Sequence, residues 1–116
     1  YGHISGDVVL KELCSLLNES IRHGDIIGRY GGEEFGIVFP EISFDELMAA
    51  CERIRRRIDD HSFDIGIDKI HITVSIGACF KTWDNIISPK DMIRIADEAL
   101  YKAKHTGKNK AEAGIL

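Results

Sequence analysis

Apolar residues recur at helical spacing near the start of the chain: Val9, Leu10, Leu13, Leu16, Leu17 and Ile21. Positions three and four apart share a helix face, so this spacing predicts a helix over about 6–22, with Ser5 or Asp7 as its start signal. The pattern then changes period. Two apolar runs, about 25–30 and 34–39, flank Gly31-Gly32, and Pro40 ends the second. This predicts a strand pair joined by a tight glycine turn. Leu47, Cys51, Ile54 and Ile58 mark one face of a second helix over about 43–60. Ile70, Ile72, Val74 and Ile76 alternate with His71, Thr73 and Ser75, the period-2 mark of a half-buried strand. Met92, Ile95, Ala96, Ala99 and Ala103 trace a third helix entered through Ser88-Pro89, and the tail from Ala111 adds a short strand. The order α-β-β-α-β-α predicts an α+β fold, helices flanking a mainly antiparallel central sheet.

Composition narrows the class. A chain of 116 residues with 44% hydrophobic and 29% charged residues fits one ordinary globular domain. A net charge of −4 argues against a broad grip on nucleic acid, so an anionic ligand would need a local basic cluster. Cys14, Cys51 and Cys79 are odd in number and lie in no close-spaced pair, which disfavours a disulfide framework or zinc site and favours a reducing compartment. Cys14 and Cys51 fall on apolar helix faces and are expected in the core. No apolar run approaches the length of a membrane span, so no membrane contact is expected of this domain. The chain opens on Tyr1 and is expected to be cut from something longer.

Candidate chemistry concentrates in Gly31-Gly32-Glu33-Glu34-Phe35. Strand alternation would turn Glu33 and Glu34 to opposite faces. Glycine backbone beside two carboxylates offers close approach to a bulky anion together with hard oxygen ligands for a divalent cation. That combination suits metal-dependent phosphoryl transfer.

These residues resemble the diguanylate cyclase family, the GGDEF domains, whose Gly-Gly-Asp/Glu-Glu-Phe signature is matched by Gly31 to Phe35. Other segments agree in order. Tyr1-Gly2-His3 with Gly6-Asp7 is similar to the family's Gly-His-x-x-Gly-Asp, and Arg22-x-x-Asp25 precedes the signature. Cys51-Glu52-Arg53-Ile54-Arg55 resembles Ala-Glu-Arg-Ile-Arg, and Thr73 to Gly77 resembles Thr-x-Ser-Ile-Gly. Ala96 to Asn109 is similar to Ala-Asp-x-Ala-Leu-Tyr-x-Ala-Lys-x-x-Gly-Arg-Asn.

The resemblance implies a nucleotidyl-cyclase-like fold and a nucleotidyltransferase that condenses two GTP into the bacterial second messenger cyclic di-GMP, with pyrophosphate released. It implies a head-to-head homodimer, one GTP per protomer, Mg²⁺ (Mn²⁺ as the alternative) as cofactor, and feedback by the product. Glu33 and Glu34 take the catalytic and metal-binding positions. Asp7 takes the guanine-reading position, Gly31 and Gly32 lie against the nucleotide, and Lys104 and Lys108 take the phosphate positions. Lys108 stands where the family has Arg and gives up bidentate contact. Arg22, Asp25 and Arg53 take the product-inhibition positions. A sensory domain in the parent protein and a cytoplasmic setting, as a free protein or as the cytoplasmic part of a membrane-attached one, are further expectations.

The family's domain begins earlier, with a strand carrying a metal-binding Asp, a Phe-Lys pair and an Asn. Residues 1–116 are therefore expected to be an amino-terminally truncated GGDEF domain, and the activity of such a fragment is left open. An inactive module that senses GTP or cyclic di-GMP stands as the alternative function; a pure dimerisation domain would explain neither the acids nor the lysines. Plainer roles stand beside several residues. Arg22 and Asp25 also fit a surface ion pair, Lys104 and Lys108 charges at a helix C-terminus, Asp7 a helix N-terminal charge, and Arg53 part of a solvated arginine run.

Overall fold

The structure is a computed structural model. It describes residues 2–29, 31, 34–81 and 88–115, with the side chains of residues 2–5 and 115 left aside. The elements run α1 (Gly2–Ser20), β1 (Ile26–Arg29), β2 (Phe35–Val38), α2 (Phe44–Asp59), β3 (Ser62–Asp64), β4 (Lys69–His71), β5 (Ile76–Phe80), α3 (Pro89–His105) and β6 (Ala111–Ile115). The α+β class holds, and two of the three ladders are antiparallel. The third, β5 with β6, is parallel, because the chain crosses through α3 between them.

Local chemistry sets the helix ends. Ser43 caps α2: its hydroxyl accepts from the Glu46 N–H at 3.1 Å, and the Glu46 carboxylate accepts from the Ser43 N–H at 3.2 Å. This reciprocal capping box satisfies two of the helix's orphan donors. Ser88 caps α3 with Pro89 in its first turn, where a missing N–H costs nothing. At the far end of α3, Gly107 has φ +126° and the Lys108 N–H bonds the Ala103 carbonyl at 2.9 Å, a Schellman closure. Helix α1 starts at Gly2 and stops at Ser20, displaced from the expected 6–22. Ser5 and Asp7 thus lie within it. It ends where Ser20 Oγ turns back to the Leu16 carbonyl at 2.6 Å and Gly24, at φ +96°, reverses the chain.

Strand pairing departs from the sequence expectation in one place. The alternating run 70–76 is split: Ile70 belongs to β4, which pairs back on β3, and Ile76 opens β5. Gly66, at φ +90°, and an Asp64 Oδ1 that accepts from the Gly66 N–H at 2.8 Å make the β3–β4 turn.

Alternation then sorts the layers. Leu13 and Leu17 of α1, Ile54 and Ile58 of α2, and Phe63 of β3 form one core, closed by Ile27, Phe35 and Ile37 from the first hairpin. Phe63 and Ile58 are fully buried, each stabilising by about 1.5–3 kcal/mol. Leu47 and Cys51 of α2 form a second core with Ala78 of β5, against which Ala111 and Ala113 of β6 pack. The opposite face of the β5–β6 ladder carries Gly77 and Gly114. There α3 lies directly on the strands: a methyl at Gly77 would overlap the Ala96 carbonyl oxygen and the Leu100 amide, and one at Gly114 would sit 2.5 Å from Ile95 Cγ2.

Gly77→Ala must therefore push α3 off its sheet, a cost of about 1–3 kcal/mol or more. Gly36→Ala in β2, where nothing lies within 4 Å of a new methyl, should change stability by less than about 1 kcal/mol. Urea denaturation of both variants checks this; equal midpoints for Gly77→Ala and wild type would refute the close packing.

Candidate functional site

The Gly31–Phe35 segment caps the first hairpin. The register Ile26↔Val38, Ile27↔Ile37, Gly28↔Gly36, Arg29↔Phe35 leaves residues 30–34 as the connection. The expected Gly31-Gly32 turn falls in this connection, partly outside the described residues. The connection is braced from within: the Gly31 N–H donates to the Glu34 carbonyl at 3.3 Å, and Arg29 Nε donates to the Gly31 carbonyl at 3.2 Å. Glu34 is exposed and precedes the strand, so strand alternation does not set its direction. Gly32 and Glu33 lie outside the described residues. In kind, a Glu33-Glu34 pair fits a hard divalent cation, since it offers carboxylate oxygens and no soft ligand. Among the described residues, no group of three His, Cys, Asp or Glu converges as a metal site.

Asp7 is exposed and lies past the first turn of α1, which contains no acidic residue. The helix N-terminal role therefore falls away. Lys104 and Lys108 are both exposed at the C-terminal end of α3. Lys104 is in the last turn, where its charge also suits the helix dipole. Lys108 sits just beyond, at φ +57°, followed by Asn109 at φ +46°. Among the described residues, neither lysine side chain makes an ion pair or hydrogen bond, whereas Lys102 and Lys110 both face Glu112, at 3.8 and 3.4 Å. No hydrogen bond or ion pair among the described residues joins Asp7, Lys104 or Lys108 to the hairpin loop.

Arg22, Asp25 and Arg53 do come together, at the turn after α1. Asp25 Oδ2 accepts from the Arg22 backbone N–H at 2.9 Å, and Oδ1 from Arg22 Nε at 3.3 Å. Arg22 Nη2 also donates to the Pro40 carbonyl at 2.9 Å, and Nη1 stands 4.0 Å from Glu46. The Asp25 side chain is 2% exposed beneath a half-exposed Arg22. Arg53 Nη2 reaches across from α2 to donate to the Ser20 carbonyl at 2.9 Å, satisfying the end of α1. In this arrangement Arg22 and Asp25 hold each other, and Arg53 serves a helix end. Beside them Arg56, Arg57 and His61 line an open cleft of about 610 Å³ on α2. The four residues of β1, at roughly 3.3 Å each, separate this turn from the Gly31 loop.

Sequence reasoning missed a second cluster, on another face of α2. Arg55 Nη1 donates to Asn109 Oδ1 at 3.0 Å, and Asn109 Nδ2 donates to Asp59 Oδ2 at 3.2 Å. His71 Nε2 meets Asp59 Oδ1 at 2.7 Å. The hydrogen bond from His71, then that from Asn109, holds the Asp59 carboxyl below the usual carboxylate range. No local signal marks partners fifty residues apart. The Ser43-Phe44-Asp45-Glu46 cap does carry a local signal, Ser-x-x-Glu, which the periodicity reading passed over. Cys51 is buried as expected, which pushes its thiol up to about 11, whereas Cys14, expected in the core, is half-buried.

Known proteins supply the last observation. The family description "Diguanylate cyclase, GGDEF domain" matches residues 1–110. Diguanylate cyclase A of Treponema denticola is 38% identical over 110 residues, covering 95% of this chain and 29% of that protein. The active GGEEF domain of a diguanylate cyclase from Vibrio cholerae superposes with a TM-score of 0.83 at 34% identity, covering 97% of this chain and 70% of that one. The GGDEF domain of DgcB from Caulobacter crescentus, solved in complex with c-di-GMP, gives 0.87 at 29% identity, covering 97% and 67%. The chain spans about a quarter to a third of the length of the curated relatives it matches.

Hydrogen bonds from Ser43, with Arg22 adding its charge, hold the Glu46 carboxyl below its ordinary value. Its stabilising contribution is therefore complete above the unfolded-state pKa of about 4.3 and is lost as pH falls through the lower folded value. Melts of Glu46→Ala and wild type should differ most at neutral pH and converge in strong acid; a gap that widens on acidification would refute the assignment.

Proposed function

This chain belongs to the diguanylate cyclase GGDEF-domain family, and on that premise we propose that it joins two GTP molecules into cyclic di-GMP. In each of two transfers a ribose 3′-oxygen bonds to the α-phosphorus of the other GTP. The α–β phosphoanhydride bond breaks, pyrophosphate leaves, and the hydroxyl proton passes to a base. One observation supports this reading: the Gly31–Phe35 signature is complete in the sequence and runs into β2 of an antiparallel ladder, with Glu34 exposed. The sensor alternative is not favoured, because a module that only bound nucleotide would have no need of both acids.

The roles follow from chemistry. Glu33 and Glu34 would hold Mg²⁺, or Mn²⁺ in its place, which when bound supplies positive charge to the phosphate oxygens. Glu33 would also take the hydroxyl proton. Asp7 would accept from the guanine N1–H and N2–H₂ edge, donors that adenine lacks. Gly31 and Gly32, having no side chains, would let the nucleotide approach the backbone closely. Lys104 and Lys108, with no competing partner among the described residues, would neutralise the β- and γ-phosphates. Two half-sites must face each other, so the working unit is a homodimer of this domain. No helix among the described residues is long and apolar enough to cross a membrane; a GTP-consuming domain belongs on the cytoplasmic side, with its input from a sensory domain elsewhere in the protein.

Arg22, Asp25 and Arg53 form the proposed product-inhibition site. The half-exposed Arg22 guanidinium is its accessible charge. To bind product it would exchange the Pro40 carbonyl for a phosphate or guanine edge.

Two variants of the full-length protein test these roles. Glu33→Ala should leave the fold intact and reduce cyclic di-GMP formation, measured by mass, to below about 1% of wild type, as expected when several kcal/mol of charge stabilisation are lost. Near-normal turnover would remove Glu33 from the chemistry. Arg22→Ala keeps the backbone N–H bond to Asp25 but loses the charged contact. The product concentration giving half-inhibition should rise at least about tenfold with the initial rate little changed. Superimposable inhibition curves would leave Arg22 and Asp25 as a structural ion pair.

A further inference from the structure

Lys108 and Asn109 are consecutive non-glycine residues in the left-handed region, at φ +57° and +46°. A lysine rarely holds such backbone unless its surroundings fix it, and asparagine adopts it more readily. Three contacts hold it here. The Schellman bond from the Lys108 N–H to the Ala103 carbonyl ties the turn to α3. Lys110 Nζ donates to the Thr106 carbonyl at 2.9 Å, closing it from the other side. The third contact reaches outside the turn, to α2, where the Asn109 amide is read from both ends. Its oxygen accepts from Arg55 and its nitrogen donates to Asp59, at 3.0 and 3.2 Å. Only an amide in this orientation satisfies a cation and a carboxylate together. Arg55 is itself held by Glu52 and is 15% exposed, so the anchor is stiff.

We propose that Asn109 is a positioning residue: clamped by Arg55 and Asp59, it fixes the left-handed turn and so the direction in which Lys108 offers its ammonium group to a nucleoside triphosphate. Lys108 is exposed, carries no partner among the described residues and sits on the clamped turn. Its reach is set by the backbone beneath it, because a flexible lysine on a wandering loop would lose most of its contact to conformational entropy. The proposal rests on the reading of this chain as a GTP-binding domain.

The test uses the full-length protein and guanosine 5′-(α,β-methylene)triphosphate, whose α–β bridge cannot be cleaved, so binding is measured apart from turnover. Asn109→Gly keeps the left-handed backbone permissible and removes only the clamp. It should weaken binding about tenfold, or about 1.4 kcal/mol, and speed amide exchange over residues 106–110. The exchanged pair Asn109→Asp with Asp59→Asn rebuilds the contacts with donor and acceptor reversed, and should bind within about threefold of wild type. In a Lys108→Gln background, Asn109→Gly should cost no further affinity. Wild-type binding by Asn109→Gly, no rescue by the exchanged pair, or additive losses with Lys108→Gln would each overturn the clamp. A wild-type protein that binds no analogue would overturn the nucleotide reading instead, and the amide-exchange comparison would then judge the clamp alone.

Discussion

Everything at the lysine end of this domain depends on how closely α3 lies against the β5–β6 ladder. The helix backbone at Ala96 and Leu100 occupies the space a side chain at Gly77 would need, and Ile95 fills the space above Gly114. Small buried residues continue the contact along the helix, at Ala99 and Ala103. Backbone on backbone leaves no flexible atom to absorb error, so the helix has one depth and one register on the strands. The turn at Gly107 therefore ends at a defined place, and the parallel strand β6 can leave it directly to pair with β5.

The same packing divides the molecule's work. Helix α2 reaches two neighbours from different faces of its C-terminal half. Its Arg53 satisfies the end of α1 beside the Arg22 turn, and its Arg55 and Asp59 grip the turn after α3. Its apolar face, Leu47, Cys51, Ile54 and Ile58, is buried between the two cores. A rigid helix with a different polar cluster on each of two faces can hold two turns in fixed relation. No hydrogen bond or ion pair among the described residues joins those turns directly.

Much of this was legible in the sequence. Periodicity placed all three helices, because each buries a single stripe, and Ser88-Pro89 marked the start of α3 correctly. The first hairpin and the terminal strand were also legible. The Gly31-Gly32 turn lies partly outside the described residues, while the strands that flank it pair in the register their apolar pattern implies, Ile27 opposite Ile37. The losses have physical causes. The run 70–76 alternates without a break, yet the chain changes partners within it, and alternation records a buried face, not the identity of the neighbour. The candidate site divides in the same way. The family resemblance gave phosphate and guanine roles to Asp7, Gly31, Glu34, Lys104 and Lys108, but Asn109 looked like the tail of a motif. Only tertiary structure gives it Arg55 and Asp59.

On the proposed reading, a structural contact and a ligand site share residues at the Arg22 turn. Asp25 is nearly sealed from solvent and holds Arg22 through both backbone and side chain. Its carboxylate cannot be offered to a ligand while that pair persists. The Pro40 carbonyl, in contrast, belongs to an exposed residue, and water can replace Arg22 there at little cost. The contact easiest to give up is thus the one that frees an Arg22 nitrogen outward, while Asp25 keeps the guanidinium oriented by its Nε. On the proposed reading, product would meet a preoriented arginine and not a preformed pair. Arg22 would then supply the affinity, and Asp25 would keep that arginine aimed.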